Sequence, residues 1–81
     1  MQNKIKIIPE KIGGVVKITE DCQFNKIRAE KVIVDENVTA RLFGSVNRVV
    51  LKRGAKLFLH GIIYGTIRNL GGEIYIYSHK M

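Results

Sequence analysis

Apolar and polar residues alternate in short segments along most of the chain. The clearest segments read V-T-A-R-L at 38–42, A-K-L-F-L at 55–59 and E-I-Y-I-Y at 73–77. Successive side chains of a β-strand point to opposite sides, so this period of two predicts strands with one buried side. Turn-forming runs such as D-E-N, K-R-G and N-L-G-G separate the segments. No window has helical spacing, and we therefore predict an all-β chain with strands of about three to five residues.

The segments recur at a nearly constant spacing of seventeen residues. A shift of seventeen places six apolar residues on apolar residues and Gly44 on Gly61; the six are Val32, Val34, Val38, Ala40, Leu42 and Val46. A second step aligns four further pairs: Val50 with Ile67, Gly54 with Gly71, Leu57 with Ile74 and Leu59 with Ile76. Before Val32 the spacing shortens to sixteen, which places Cys22 on Val38. The chain is therefore predicted to contain an internal structural repeat.

A fixed period with short strands and tight corners predicts a short parallel β-solenoid, a triangular β-helix of about four to five coils of 16–17 residues. We expect one domain over 1–81, with a partial N-terminal coil at 1–15 and four repeats over 16–81. Like positions would stack ~4.8 Å apart and form apolar columns inside. An antiparallel barrel or a β-sandwich requires no constant period, so the repeat counts against both.

The glycine-rich stretch G-I-I-Y-G-T-I-R-N-L-G-G at 61–72 raises the question of a phosphate-binding loop. A P-loop requires a Gly-Lys-Ser/Thr sequence and a dinucleotide fingerprint requires a following helix, and the stretch has neither. Gly61 and Gly71 fall one period after Gly44 and Gly54, where one face of a coil should end. These glycines are therefore predicted to provide positive φ angles at corners.

The net charge of +7 is concentrated in the second half of the chain. Residues 1–36 hold seven basic and six acidic residues, whereas 37–81 hold seven basic residues and only Glu73. Such asymmetry has two interpretations that the sequence leaves open: an anionic partner, which would be nucleic acid, an anionic membrane surface or an acidic protein, and a basic surface that serves only solubility. The first residues lack the apolar core of a signal peptide, so we expect a cytoplasmic protein, with membrane association as an open alternative.

Candidate catalytic and metal-binding residues are few. Ser45 and Ser78 have no histidine and aspartate partners that the sequence can assign, and His60 and His79 lack a third ligand. Cys22 is the only cysteine and falls on an apolar column, which predicts a buried thiol. We therefore expect no catalytic residue, no metal and no cofactor, and a protein that is not an enzyme.

Several aromatic residues should lie outside the solenoid. Phe58 alternates out of phase with its apolar neighbours and lies one period before Tyr75 and one period after Arg41, so these three should stack on an outer face. The predicted partner-binding face also includes five basic residues: Arg48, Lys52, Arg53, Lys56 and Arg68. A contact with a protein is favoured over stacking of single-stranded nucleic acid, which remains an alternative.

The ends of a solenoid expose unpaired strand edges and the ends of its apolar columns. The segment E-I-Y-I-Y-S-H-K-M at 73–81 follows the last coil without an amphipathic helix, whereas lysines and Pro9 should guard the N-terminal end. Self-association is therefore predicted through four residues of the last strand: Ile74, Tyr75, Ile76 and Tyr77. Pairing at one end would give dimers, and pairing at both ends would give filaments.

The segments I-R-A-E-K-V-I-V-D-E-N-V-T-A-R-L-F-G-S-V at 27–46 and V-V-L-K-R-G-A-K-L-F-L-H-G-I-I-Y-G-T-I at 49–67 resemble the core of bactofilins. The resemblance is one of pattern and covers about residues 16–77. It implies a β-helical scaffold that polymerises without nucleotide through its ends, often at the membrane. The leading hypothesis is a non-enzymatic, self-assembling, bactofilin-like scaffold. The alternatives are a small binding module, such as an inhibitor or immunity protein, and a basic nucleic-acid-binding protein.

Overall fold

The computed structural model describes residues 5–77, and this part of the chain forms β-strands and no helix. In chain order the strands are β1 (Lys6–Ile8), β2 (Lys11–Ile12), β3 (Val15–Ile18), β4 (Cys22–Val34), β5 (Thr39–Leu51), β6 (Lys56–Ile63), β7 (Ile67–Asn69) and β8 (Glu73–Tyr77). Every pairing between them is parallel. Parallel pairing of strands close together in sequence excludes hairpins, and with them the barrel and sandwich alternatives.

The strands stack into three faces. The first face consists of β1, the starts of β4, β5 and β6, and β8. The second face consists of β2, the middle parts of β4 and β5, and the end of β6. The third face consists of β3, the ends of β4 and β5, and β7. The faces recur in this order along the chain, so the predicted parallel β-solenoid is confirmed, with about four turns.

Two strands are longer than predicted. β4 and β5 each have thirteen residues, and they continue from the first face through the second to the third. The pairing of β4 with β5 extends from Cys22–Ala40 to Val34–Leu51, and its register shifts between Phe24 and Ile27, where the first face meets the second. The prediction of three to five residues holds for β1, β3, β7 and β8, and is wrong for the coils in the middle of the solenoid.

The seventeen-residue register is confirmed over most of the molecule. Val32 pairs with Val49, Leu57 pairs with Ile74, and Val16 pairs with Val32 at the shorter spacing of sixteen. The inward positions of these strands form the expected apolar columns. All of the buried side chains in the described part are apolar, so the core requires no internal polar partners.

One predicted alignment near the N-terminal end is wrong. Cys22 lies beside Ala40, not Val38. The reason is corner length, because three residues separate Ile18 from Cys22 whereas five separate Val34 from Ala40. Cys22 nevertheless points into an apolar column and is only 4% exposed, so the prediction of a buried thiol is confirmed.

A second alignment is wrong on the third face. Ile67 pairs with Val49, and Arg68 pairs with Val50, so the spacing here is eighteen residues. The shift places Ile67 in an inward column, above Val49, which is 1% exposed. It places Arg68 on the outer side of the third face, in line with Val50.

The corner glycines have the predicted backbone. Gly44 and Gly61 pair with each other where the first face meets the second, with φ angles of 147° and 158°. Gly54 and Gly71, at the corner between the third and first faces, have φ angles of 76° and 123°. These values favour glycine, and the glycines therefore serve the backbone in the way that the repeat predicts.

Candidate interaction surfaces

The outer side of the first face carries two neighbouring columns of large side chains, which we call the aromatic face. Its members are Arg41, Phe43, Phe58, His60, Tyr75 and Tyr77. They point outward because they alternate with the inward residues Leu42, Leu59 and Ile76 along β5, β6 and β8. The strand register therefore builds this surface from three successive coils.

The first column joins Arg41, Phe58 and Tyr75. The guanidinium carbon of Arg41 lies 5.1 Å from the centre of the Phe58 ring, within the range of a cation–π interaction. The rings of Phe58 and Tyr75 are stacked, with centroids 5.0 Å apart and planes 13° apart. This confirms the stacking that the sequence predicts for these three residues.

The second column joins Phe43, His60 and Tyr77. The rings of Phe43 and His60 lie 4.4 Å apart, and those of His60 and Tyr77 lie 4.7 Å apart, in both cases nearly parallel. In the sequence, His60 was paired only with His79. His79 and Ser78 both lie outside the described residues. Applying the seventeen-residue step to Phe43 would have revealed this column.

A hydrogen bond ties the two columns together. Arg41 Nη1 lies 2.8 Å from His60 Nε2. A guanidinium has only donors, so Nε2 of His60 is the acceptor and the ring carries its proton on Nδ1. Arg41 is therefore held by two contacts, one with the Phe58 ring and one with the imidazole of His60.

Stacking within each column determines which parts of the rings are accessible. The rings cover one another along the solenoid axis, so the flank of the aromatic face presents mainly ring edges. Within residues 5–77, the last rings of the columns are Tyr75 and Tyr77, which are 41% and 48% exposed. A nucleic-acid base would therefore find a ring to stack on at the C-terminal end, and not along the flank.

The predicted partner-binding face is divided by the structure. Lys56 lies on the first face, in register between Thr39 and Glu73 and beside the column of Arg41. The remaining basic residues lie elsewhere: Arg48 and Arg68 on the third face, and Lys52 and Arg53 at the corner between the third and first faces. The sequence prediction of one face is wrong for these four residues, because they precede or follow the strand segments of the first face.

Two of these dispersed cations already have acidic partners. Arg48 Nη2 lies 3.2 Å from a carboxylate oxygen of Glu30, and Lys52 Nζ lies 3.5 Å from Asp35. The backbone N–H of Glu36 and the charge of Lys52 lower the pKa of Asp35. Exposed pairs of this kind contribute little stability, but they reduce the charge that is free to attract an anionic partner.

The C-terminal end of the solenoid exposes its apolar columns. Ile76 occupies an inward position above Leu59, yet it is 47% exposed whereas Leu59 is fully buried. Ile67 and Leu70, on the same coil, are 41% and 53% exposed. In the described part of the chain β8 pairs only with β6, so its other edge has no neighbour.

The N-terminal end is less guarded than predicted. Lys6 pairs with Glu20 at 3.4 Å, but the first coil carries apolar residues at positions that are polar in the next coil. Half or more of the surface of each of four residues is exposed: Ile5, Ile7, Ile12 and Val15. Apolar surface is thus available on the outer sides of the first described coil as well as at the C-terminal end of the described solenoid.

Residues 5–77 do not bring together three or more side chains that could ligate a metal ion. The same residues contain no helix that is long and apolar enough to cross a bilayer.

The fold and its surfaces define a small parallel β-solenoid with an aromatic face, an exposed apolar C-terminal end and apolar residues on the outer sides of its first coil. Comparisons with protein-family models, with curated proteins and with solved structures gave no match.

Proposed function

We propose that the protein is a non-enzymatic scaffold that associates with copies of itself through the ends of the solenoid. The observation that carries this proposal is the exposure of Ile76, which occupies a core position at the last described coil. An unpaired strand edge beside an exposed apolar column is a template for adding another strand. A second copy of the chain would pair with the free edge of the strand and cover the exposed apolar column.

Burial of Ile76 alone does not offset the free-energy cost of association, so other residues must also contribute to the contact. Burial of a whole isoleucine side chain contributes about 1.5–3 kcal/mol, and Ile76 has about half of its surface left to bury. Association costs at least about 4 kcal/mol in lost translational and rotational freedom. Ile74, Tyr75 and Tyr77 lie on the same strand and would contribute apolar contact and ring stacking, so the whole of β8 forms the proposed contact.

The proposed scaffold would be bactofilin-like. A short parallel solenoid with open ends is the kind of domain that the resemblance implies. A cytoplasmic location, with or without contact to an anionic membrane surface, is part of the same hypothesis. The partner in this proposal is another copy of the chain, and assembly requires no cofactor.

Electron microscopy of the purified protein tests the proposal directly. We expect rods or filaments no wider than one or a few solenoids, formed without nucleotide or metal. Uniform single particles of monomer size, under conditions in which the protein is concentrated, would contradict assembly.

A small binding module is the second candidate function, and the aromatic face favours it. Tyrosine, phenylalanine and arginine are enriched at protein contacts, and Arg41 is held in place by Phe58 and His60. A one-to-one complex with a partner protein, without assembly, would distinguish this function from a scaffold. The nucleic-acid alternative gains no support, because the basic residues are distributed over two faces and a corner.

A further inference from the structure

A small cavity adjoins Arg41 at the corner between the third and first faces. It has a volume of about 220 Å³. Its lining consists of Ile5, Asp21, Cys22, Gln23, Thr39, Arg41 and Phe58. Pockets that enclose a whole ligand usually measure roughly 300–1,000 Å³, so this cavity has the size for one functional group and a short apolar attachment.

Arg41 is a cation without an acidic partner in the described part of the chain. Its side chain is half-buried, and its polar contact is with the imidazole of His60. The three ion pairs found in residues 5–77 do not include it. A guanidinium has five N–H donors in a fixed plane, and the bond to His60 uses one of them. Donors therefore remain for an external group.

Two contacts prepare Arg41 to bind a carboxylate. Its guanidinium carbon lies 5.1 Å from the centre of the Phe58 ring and its Nη1 is hydrogen-bonded to His60, so the side chain loses little conformational freedom on binding. A carboxylate can accept two parallel N–H bonds from such a group, which gives a short and strong contact. Ile5 and Phe58 provide apolar surface for a carbon chain attached to it.

The charges around the cavity set the strength of such a site. Burial, followed by the nearby charge of Glu20, raises the pKa of the Cys22 thiol to about 11, so the thiol is neutral at neutral pH. Asp21 is the one carboxylate in the lining, and its Oδ1 accepts the backbone N–H of Thr39 at 2.9 Å. The carboxylate of Asp21 repels an incoming anion. Removing its charge should therefore strengthen the binding of an anion in this cavity, which tests the site specifically.

We propose that this cavity is a carboxylate-binding site in which Arg41 holds the carboxylate and Ile5 and Phe58 contact its apolar attachment. The carboxylate belongs either to a small organic acid or to an acidic side chain of a partner polypeptide. Arg41 lies two coils below β8 and Phe58 lies one coil below it, and carboxylate binding by Arg41 does not require end-to-end assembly.

An NMR titration of the full chain at constant ionic strength tests the inference. The probes are sodium butyrate, a short peptide with one aspartate beside a leucine, and inorganic phosphate, with chloride as the reference anion. We expect butyrate or the peptide to shift the Arg41 Nε–H and Thr39 N–H signals to saturation. The dissociation constant for butyrate should be on the order of 10 mM, because the contact involves few atoms.

Four variants make the test specific. Arg41→Gln should abolish the saturable shift, and Arg41→Lys should weaken it about tenfold, because an ammonium lacks the planar fork. Asp21→Asn keeps an acceptor for the Thr39 N–H and should strengthen binding about fivefold, because it removes the repelling charge. Arg48→Gln on the third face is the matched control and should leave binding unchanged.

Saturation by butyrate assigns the site to small organic acids as well as side chains, and saturation by the peptide alone assigns it to a polypeptide. Tighter binding of phosphate than of either carboxylate would overturn the inference. Shifts equal to those caused by chloride would also overturn it, as would unchanged binding in Arg41→Gln or in Asp21→Asn. The dispersion of the amide spectrum shows whether each variant is folded.

Discussion

Gly61 lies directly beside Gly44 of the preceding coil, at the corner between the first and second faces. A Cβ atom added to Gly61 would overlap the carbonyl oxygen of Gly44, and one added to Gly44 would overlap the carbonyl oxygen of Ile27. The two glycines also have φ angles that other residues rarely adopt. The missing side chains therefore allow successive coils to turn this corner at close distance.

Gly61→Ala should lower the free energy of unfolding by roughly 3 kcal/mol, from backbone strain together with overlap. Chemical denaturation checks this value. Gly13→Ala is a useful control, because Gly13 has a φ of 85° but a Cβ there would meet open space. It should cost only about 1–2 kcal/mol. Equal losses in the two variants would show that close approach of the coils is unimportant.

The sequence predicts the solenoid because every coil repeats the same inward positions. Apolar residues at Val32, Val49, Leu57 and Ile74 reveal the period without knowledge of contacts. The length of each corner is not encoded in that pattern. The corner before Ala40 could contain extra residues without disturbing the inward columns, so the partner of Cys22 was not predictable.

In the aromatic face, too, some contacts follow from the repeat and others do not. The stacking of Phe58 on Tyr75 follows from the period, because both residues occupy the same position in successive coils. The hydrogen bond from Arg41 to His60 joins neighbouring columns, and it depends on side-chain conformations that no repeat specifies. The cavity beside Arg41 likewise depends on the corner length near Asp21.

Leu57→Ala should destabilise the protein by about 3 kcal/mol. Leu57 is fully buried between Ala40 and Ile74 in an inward column of the first face, and its truncation leaves a cavity that rigid coils cannot close. Thermal or chemical denaturation measures the loss. Lys56→Ala, at the exposed neighbouring position, should change stability by less than about 0.5 kcal/mol. Similar effects of the two substitutions would contradict the assignment of inward positions.

Cys22 should make stability depend on pH in the alkaline range. Burial and the nearby charge of Glu20 raise the pKa of its thiol from the ordinary value of 9.0 to about 11 in the folded protein. The folded chain therefore holds this proton more tightly than the unfolded chain does. The contribution is fully present below pH 9 and is lost as the pH rises from about 9 to about 11.

The comparison with Cys22→Ala isolates this effect, because lysines and tyrosines titrate in both proteins. The free energy of unfolding should fall more steeply with pH in the wild-type protein than in the variant over that range. Parallel curves for the two proteins would show that the thiol is not perturbed by folding.

The aromatic face provides a prediction about local stability. Replacing Phe43 with alanine removes the ring that stacks on His60 and leaves the first column intact. A stacked pair contributes about 0.5–1.5 kcal/mol beyond the burial of its surface, so the loss should be modest. The chemical shifts of His60 should change strongly and those of Phe58 only weakly. Large changes at both rings would show that the hydrogen bond between Arg41 and His60 transmits the loss of the Phe43 ring to the first column.

Sedimentation of the purified protein over a range of concentrations tests end-to-end association most directly. The variant that should disrupt the association is Ile76→Lys. A lysine at this position places a charge in the apolar column at the C-terminal end, above Leu59. Ile33→Lys is the matched control, because Ile33 points outward from the third face, away from both ends, and gains the same charge.

We predict that the wild-type protein and Ile33→Lys sediment as dimers or larger species whose fraction rises with concentration. Ile76→Lys should remain folded and sediment as a monomer. A wild-type protein that stays strictly monomeric at high micromolar concentration would contradict the proposed scaffold function, and unchanged assembly of Ile76→Lys would contradict the contact through β8.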